Sequence, residues 1–172
     1  MGAKPSPNCV VASAQGIWDS CVGRNCRDIN TMCTVQDVVI WEPPQLGWFK
    51  LNTDVAVDVQ NGKVSYGAVI RNHEGLVMLA GTDFGNYCED VAIAEAEAIR
   101  FGIRLAKETG LFPLMIESDS LFVIQLIQGK QRTGTELLWI ISDVQQLMQP
   151  KQDFRIQHIS RNGNQAADAL AK

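Results

Sequence analysis

The chain lacks most of what would mark a basic nucleic-acid binder, a disulfide-framework protein or a membrane protein. Its 172 residues carry 15 Lys+Arg against 19 Asp+Glu, a net charge of −4, so no general positive field draws it onto a phosphate backbone. An acidic site neutralised by metal remains compatible with that balance. No apolar run reaches the length of a bilayer span, and no basic-then-apolar secretory signal opens the chain. The opening Met1-Gly2-Ala3-Lys4-Pro5-Ser6 fits the loose N-myristoylation pattern, but no second anchor accompanies it. An intracellular protein, nuclear or cytoplasmic, is therefore expected. Cysteines number five, and Cys9, Cys21, Cys26 and Cys33 fall in the first forty residues with no C-x-x-C pair and no histidine among them. That pattern argues against both a disulfide framework and a structural zinc site.

What is present is the makeup of a globular chain, 46% hydrophobic and 20% charged, long enough for one domain with a core. Residues 1–40 have weak periodicity and read as a leader or the remnant of a neighbouring domain, helical around Ile17–Asn25. The prolines of Trp41-Glu-Pro-Pro-Gln-Leu-Gly-Trp48 forbid regular structure there and mark the start of a dense domain over 41–172. Phe49–Val59 alternates with period two and runs into Asn61-Gly62, a strong hairpin signal. Lys63–Arg71 is the return strand and Leu76–Phe84 a third, across the turn Asn72-His-Glu-Gly75. A helix over Glu89–Glu108 ends at Gly110. Strand Pro113–Glu117, a helix to Gln128, a helix over Glu136–Met148, strand Phe154–Ile159 and a short helix from Asn164 complete the order βββ-α-β-α-α-β-α. Short turns make the first three strands antiparallel, whereas a strand reached through a helical crossover lies parallel to its neighbour.

Phase then separates acids that face inward from acids that face water. On the first long helix Glu95, Ala98, Ile99, Gly102, Leu105 and Ala106 form one small-to-apolar stripe, while Glu97 falls with Arg100 and Arg104 on the outer face. Glu95 is thus a carboxylate on a buried face, costly unless something positive meets it. Asp54 sits on a central strand on the face of Lys50, Asn52 and Ala56. In Glu117-Ser118-Asp119-Ser120, Asp119 stands at the carboxyl end of a strand, where open α/β sheets hold ligands. Asp168 lies one turn into a helix that Asn164 can cap, and His158 ends the strand before the loop Ser160-Arg-Asn-Gly163. Four acids on four elements could not all stay ionised together without a cation, and hard oxygen donors favour Mg²⁺ or Mn²⁺ over zinc.

The stretches KLNTD, YGAVIRNHEG, AEAEAIRFGIRLA, IESDSLFVIQLI and HISRNGNQAADALAK resemble, in order and spacing, a ribonuclease H domain. The resemblance is to the reverse-transcriptase-like ribonuclease H domains of plants and of non-LTR retrotransposons, and it covers roughly residues 41–172. It implies a three-layer α/β/α fold with a five-stranded mixed sheet of order 3-2-1-4-5, strands 1–3 antiparallel. It further implies that Asp54, Glu95, Asp119 and Asp168 bind two Mg²⁺ ions, with Mn²⁺ as substitute, and that His158 is the flexible-loop histidine. The implied activity is endonucleolytic hydrolysis of the RNA strand of RNA–DNA hybrids, with double-stranded RNA as the alternative duplex, by a monomer without a membrane span. The competing reading is a catalytically silent binding module that keeps the fold. Two departures stand out. Val55-Ala56 replaces a smaller pair, so the valine is expected to crowd the metal approach. Lys130 and Arg132 are all the charge in the loop where a basic handle would lie.

Overall fold

The computed structural model of the chain describes residues 10–12 and 41–172. The helix expected around Ile17–Asn25, and the cysteines at 9, 21, 26 and 33, lie outside the described residues. Strands are β1 (Val10–Ala12), β2 (Phe49–Asp58), β3 (Lys63–Arg71), β4 (Val77–Asn86), β5 (Leu114–Ser118) and β6 (Phe154–His158). Helices are α1 (Val91–Thr109), α2 (Leu121–Ile127), α3 (Thr135–Leu147) and α4 (Gln165–Ala171). The sheet order is β1-β4-β3-β2-β5-β6. Its last five strands form the expected 3-2-1-4-5 arrangement, with β2, β3 and β4 antiparallel and β5 and β6 added in parallel. A sixth, short strand is added to these five at the β4 edge. β1 pairs antiparallel along β4, and three residues are too few for an alternation to be read from sequence. Among the described residues no helix is long and apolar enough to cross a membrane.

Local chemistry explains the boundaries. In the β3–β4 turn Gly75 takes φ 81°, and the Asn72 side chain accepts from the Glu74 and Leu76 amides at 3.0 and 2.9 Å. Asp90 caps α1 by accepting from Ala92 N–H at 2.9 Å, and Gly110 closes it in the left-handed region. The whole predicted stripe from Glu95 to Ala106 is buried, and Ala94, Ala96 and Ile103 widen it. Glu97 pairs with Arg100 at 2.6 Å, as its outward phase requires.

Helices cover both faces. A Cβ at Gly102 of α1 would stand 2.8 Å from Leu51 and Thr53 side-chain carbons, so α1 lies directly on the odd-numbered face of β2. A Cβ at Gly67 would stand 2.5 Å from the Ala167 carbonyl oxygen. Gly67 is the register partner of Asp54, so α4 covers the even-numbered face. The Trp41–Trp48 segment is bound into the fold at both ends. The Arg71 guanidinium lies 3.4 Å from the Trp41 ring centroid, and that of Arg155 lies 4.1 Å from that of Trp48.

Candidate metal centre

Pairing between β2 and β5 stops at Asn52↔Glu117. Beyond it the two strands part, and the crevice between them is the switch point at which a doubly covered sheet holds its ligand. Asp54 enters it from the face that α4 covers, Glu95 from α1 on the opposite face, and Asp119 from the end of β5. Each of the three offers an oxygen within 4.8 Å of the others.

Among the described residues, these groups are satisfied only in part. Asp54 Oδ1 accepts from the Val55 amide at 2.9 Å, but Asp54 Oδ2, Glu95 Oε2 and Asp119 Oδ1 are buried without a hydrogen-bond partner among the described residues. Burial pushes the Glu95 carboxyl from an ordinary 4.5 up to about 8, with the charges of Asp119 and Asp54 adding to the rise and Arg161 opposing it. Burial likewise lifts Asp54 from 3.8 to about 6. The Val55 amide works against that rise, Asp119 and Asp168 reinforce it, and Arg161 opposes it. Three orphaned carboxylate oxygens converging from three elements fit a divalent cation, because hard oxygen donors favour Mg²⁺ or Mn²⁺ and a cation would remove the mutual repulsion.

The remaining predicted residues sit differently. Asp168 is outside the group of mutually close oxygens. Its Oδ2 receives Lys172 Nζ at 2.6 Å, although its charge is felt at Asp54. His158 is exposed and is the register partner of Ser118, one residue before Asp119. Val55 points away from Asp54: its side chain packs with Val64, Tyr66, Ala94 and Ala98 on the face that α1 covers.

Neither short helix beside the crevice has a side-chain cap, which corrects the reading of Asn164 as one. Ser120 occupies the position before α2 but makes no side-chain cap bond; Ser118 Oγ accepts from the Ser120 amide at 3.1 Å. Asn164 makes no side-chain cap bond to α4. Fully buried, it donates instead to the Thr53 carbonyl at 2.9 Å, one residue from Asp54. Asn164 thus seats the helix that carries Asp168, a role that only the tertiary contact reveals. Arg161, whose charge reaches both Asp54 and Glu95, reads in sequence as one polar loop residue among several. The available signal is its position three residues after His158.

The chain matches the reverse transcriptase-like family over residues 52–172. It is 26% identical, over 82% of its length, to a candidate ribonuclease H protein of Arabidopsis thaliana, and spans 23% of that relative. Among solved structures it is similar to RNase H1 of the halophilic archaeon Halobacterium salinarum, at 25% identity and TM-score 0.65, over 72% of this chain and 94% of the other. The fold is shared with LC11-RNase H1 crystallised in complex with an RNA/DNA hybrid, at 18% identity and TM-score 0.63, over 71% of this chain and 92% of that one. With the fold, the crevice and its acids on the same strands and helix that the motifs predict, the chain belongs to the reverse transcriptase-like family of ribonuclease H domains.

Proposed function

We propose that this domain, beginning at Trp41, is a metal-dependent endonuclease that hydrolyses the RNA strand of RNA–DNA hybrids. The observation that carries the reading is the set of three close carboxylates in one crevice, each with an oxygen that has no partner among the described residues. A scaffold gains nothing from burying like charges that raise one another's pKa, whereas a cation site needs them. Asp54, Glu95 and Asp119 are the ligands, and Asp168 joins them when Lys172 releases it. Two divalent ions in such a site supply water activation and charge neutralisation at the leaving oxygen of an in-line displacement on phosphorus.

The chain's own residues do the rest. The crevice walls hold the carboxylates dry and fixed, so they need little reorganisation when charge develops. Arg161 offsets the surplus negative charge beside Asp54 and Glu95. His158, exposed beside the end of β5, exchanges protons with solvent and the cleaved ends. With a net charge of −4, binding rests on the 2′-hydroxyls and shape of the hybrid and weakens with salt.

The second reading is a silent binding module, favoured by the Asp168–Lys172 ion pair that keeps the fourth acid occupied. The deciding test is cleavage of a labelled RNA–DNA hybrid in Mg²⁺ and in Mn²⁺, with Asp119→Asn as the control. Metal-dependent cutting of the RNA strand that vanishes in the variant establishes the enzyme. A folded protein that binds the hybrid and leaves it intact in both metals establishes the module.

A further inference from the structure

Two residues below the crevice, on the same face of the sheet as Asp54, lies a further buried acid whose situation is the reverse of the other three. Glu117 is 2% exposed and Asn52 fully buried. Glu117 Oε1 receives Lys50 Nζ at 2.8 Å and Gln157 Nε2 at 2.8 Å, and its Oε2 receives Asn52 Nδ2 at 3.0 Å. Asn52 Oδ1 in turn accepts from Trp41 Nε1 at 2.9 Å and Arg71 Nη2 at 2.8 Å. Lys50 Nζ also donates to the Glu42 carbonyl at 2.7 Å. With three donors on its two oxygens, Glu117 is committed to partners within the protein, whereas each acid of the crevice keeps a partnerless oxygen among the described residues.

Its position is what gives it a role. Asn52 and Glu117 are the last register partners of the β2–β5 pair, and Asp54 and Asp119 follow each of them by two residues. At about 3.3 Å of rise per residue, the two ligands stand roughly 7 Å beyond the final cross-link between their strands. Parallel pairing is slanted and slightly weaker per residue than antiparallel pairing, so a side-chain clamp at its last rung limits how far the strand ends can splay. A buried ion pair adds little net stability over an apolar pair of the same shape, and its well-attested use is to fix register.

We propose that the Asn52–Glu117 bridge sets the separation of Asp54 and Asp119, which makes Glu117 a positioning residue for divalent-cation binding and not a ligand. This rests on the metal-site reading above. The test is a matched pair of double variants, Lys50→Met/Glu117→Gln and Lys50→Met/Glu117→Leu, each titrated with Mn²⁺ by calorimetry on protein shown to melt cooperatively. Both remove the buried charges, but only glutamine can still accept from Asn52. The glutamine variant is expected to bind Mn²⁺ like the native chain and the leucine variant about tenfold or more weakly, the usual effect of losing a ligand's outer support.

Equal affinity in the two double variants, native-like or weakened, overturns the proposal. Should the leucine variant not fold, Asn52→Ala cuts the same bridge from the other strand and is read the same way. Asp119→Asn separates the two levels. If it abolishes Mn²⁺ binding while the double variants match each other, only the positioning role falls. If it leaves Mn²⁺ binding unchanged, the metal site itself falls.

Discussion

Replacing Glu95 by glutamine should make the metal-free protein more stable. The native side chain is 9% exposed, has an unpartnered buried oxygen, and holds its proton up to about pH 8 where an ordinary glutamate ionises near 4.5. The unfolded chain releases that proton near 4.5 and the folded chain does not, so folding is opposed increasingly as pH rises from 4.5 and fully above about 8. Between 4.5 and pH 7 lies a factor of about 300 in proton activity, worth about 3 kcal/mol. Glutamine is nearly isosteric and carries no charge, so it escapes this cost. For a chain of this size that is roughly 6–12 °C in Tm. The assay is thermal melting in EDTA at pH 7 and at pH 5, where most of the difference vanishes because the unfolded chain then holds part of the proton as well. Adding Mn²⁺ should then favour the native chain, which can bind it. A Glu95→Gln variant that melts at or below native at pH 7, or whose gain is the same at pH 5, refutes the account of the site as an electrostatically strained cluster.

Other outcomes follow from the same geometry. Mn²⁺ must displace the protons held by Asp54 and Glu95, whose folded values are about 6 and about 8, so its affinity should rise from pH 6 to pH 8 with proton release visible in buffers of different ionisation enthalpy. Lys50→Met alone leaves Glu117 buried and without its cationic partner, and should lower stability by about 3–5 kcal/mol in a urea melt. Gly67→Val puts a side chain where backbone atoms of α4 already stand at 2.5 and 2.7 Å, and should cost about 1–3 kcal/mol in the same measurement.

Much of the fold is legible in the sequence because its signals are local. Asn61-Gly62 joins β2 and β3, Asn72 to Gly75 joins β3 and β4, and the phase of α1 puts Glu95 inward and Glu97 outward. The same local signals pick out the three acids whose oxygens lie close together, since a glutamate on a buried helix face, an aspartate on a central strand and an aspartate just past a strand end stand out against apolar neighbours. They fail where the partner is remote. Asn164 has the composition of an N-cap, yet its side chain goes to Thr53, 111 residues away. Asp168 looks equivalent to the other acids in sequence, and only the tertiary arrangement sets its oxygens apart from the close group, with Lys172 pairing to it four residues on. Glu117 and Asp119 share one short polar stretch, and nothing local tells the fully satisfied carboxylate from the orphaned one.

The parallel pairing of β2 with β5 also has a kinetic consequence. Asn52 and Glu117 are 65 residues apart, whereas β2, β3 and β4 are joined by tight turns that close early. The crevice therefore does not exist until the crossover through α1 has brought β5 home, and a folding intermediate made only of the meander has no place for a cation. In stopped-flow experiments across denaturant concentration, Mn²⁺ should leave the refolding limb almost unmoved and slow the unfolding limb. The ion then lengthens the life of the native state without guiding the chain towards it.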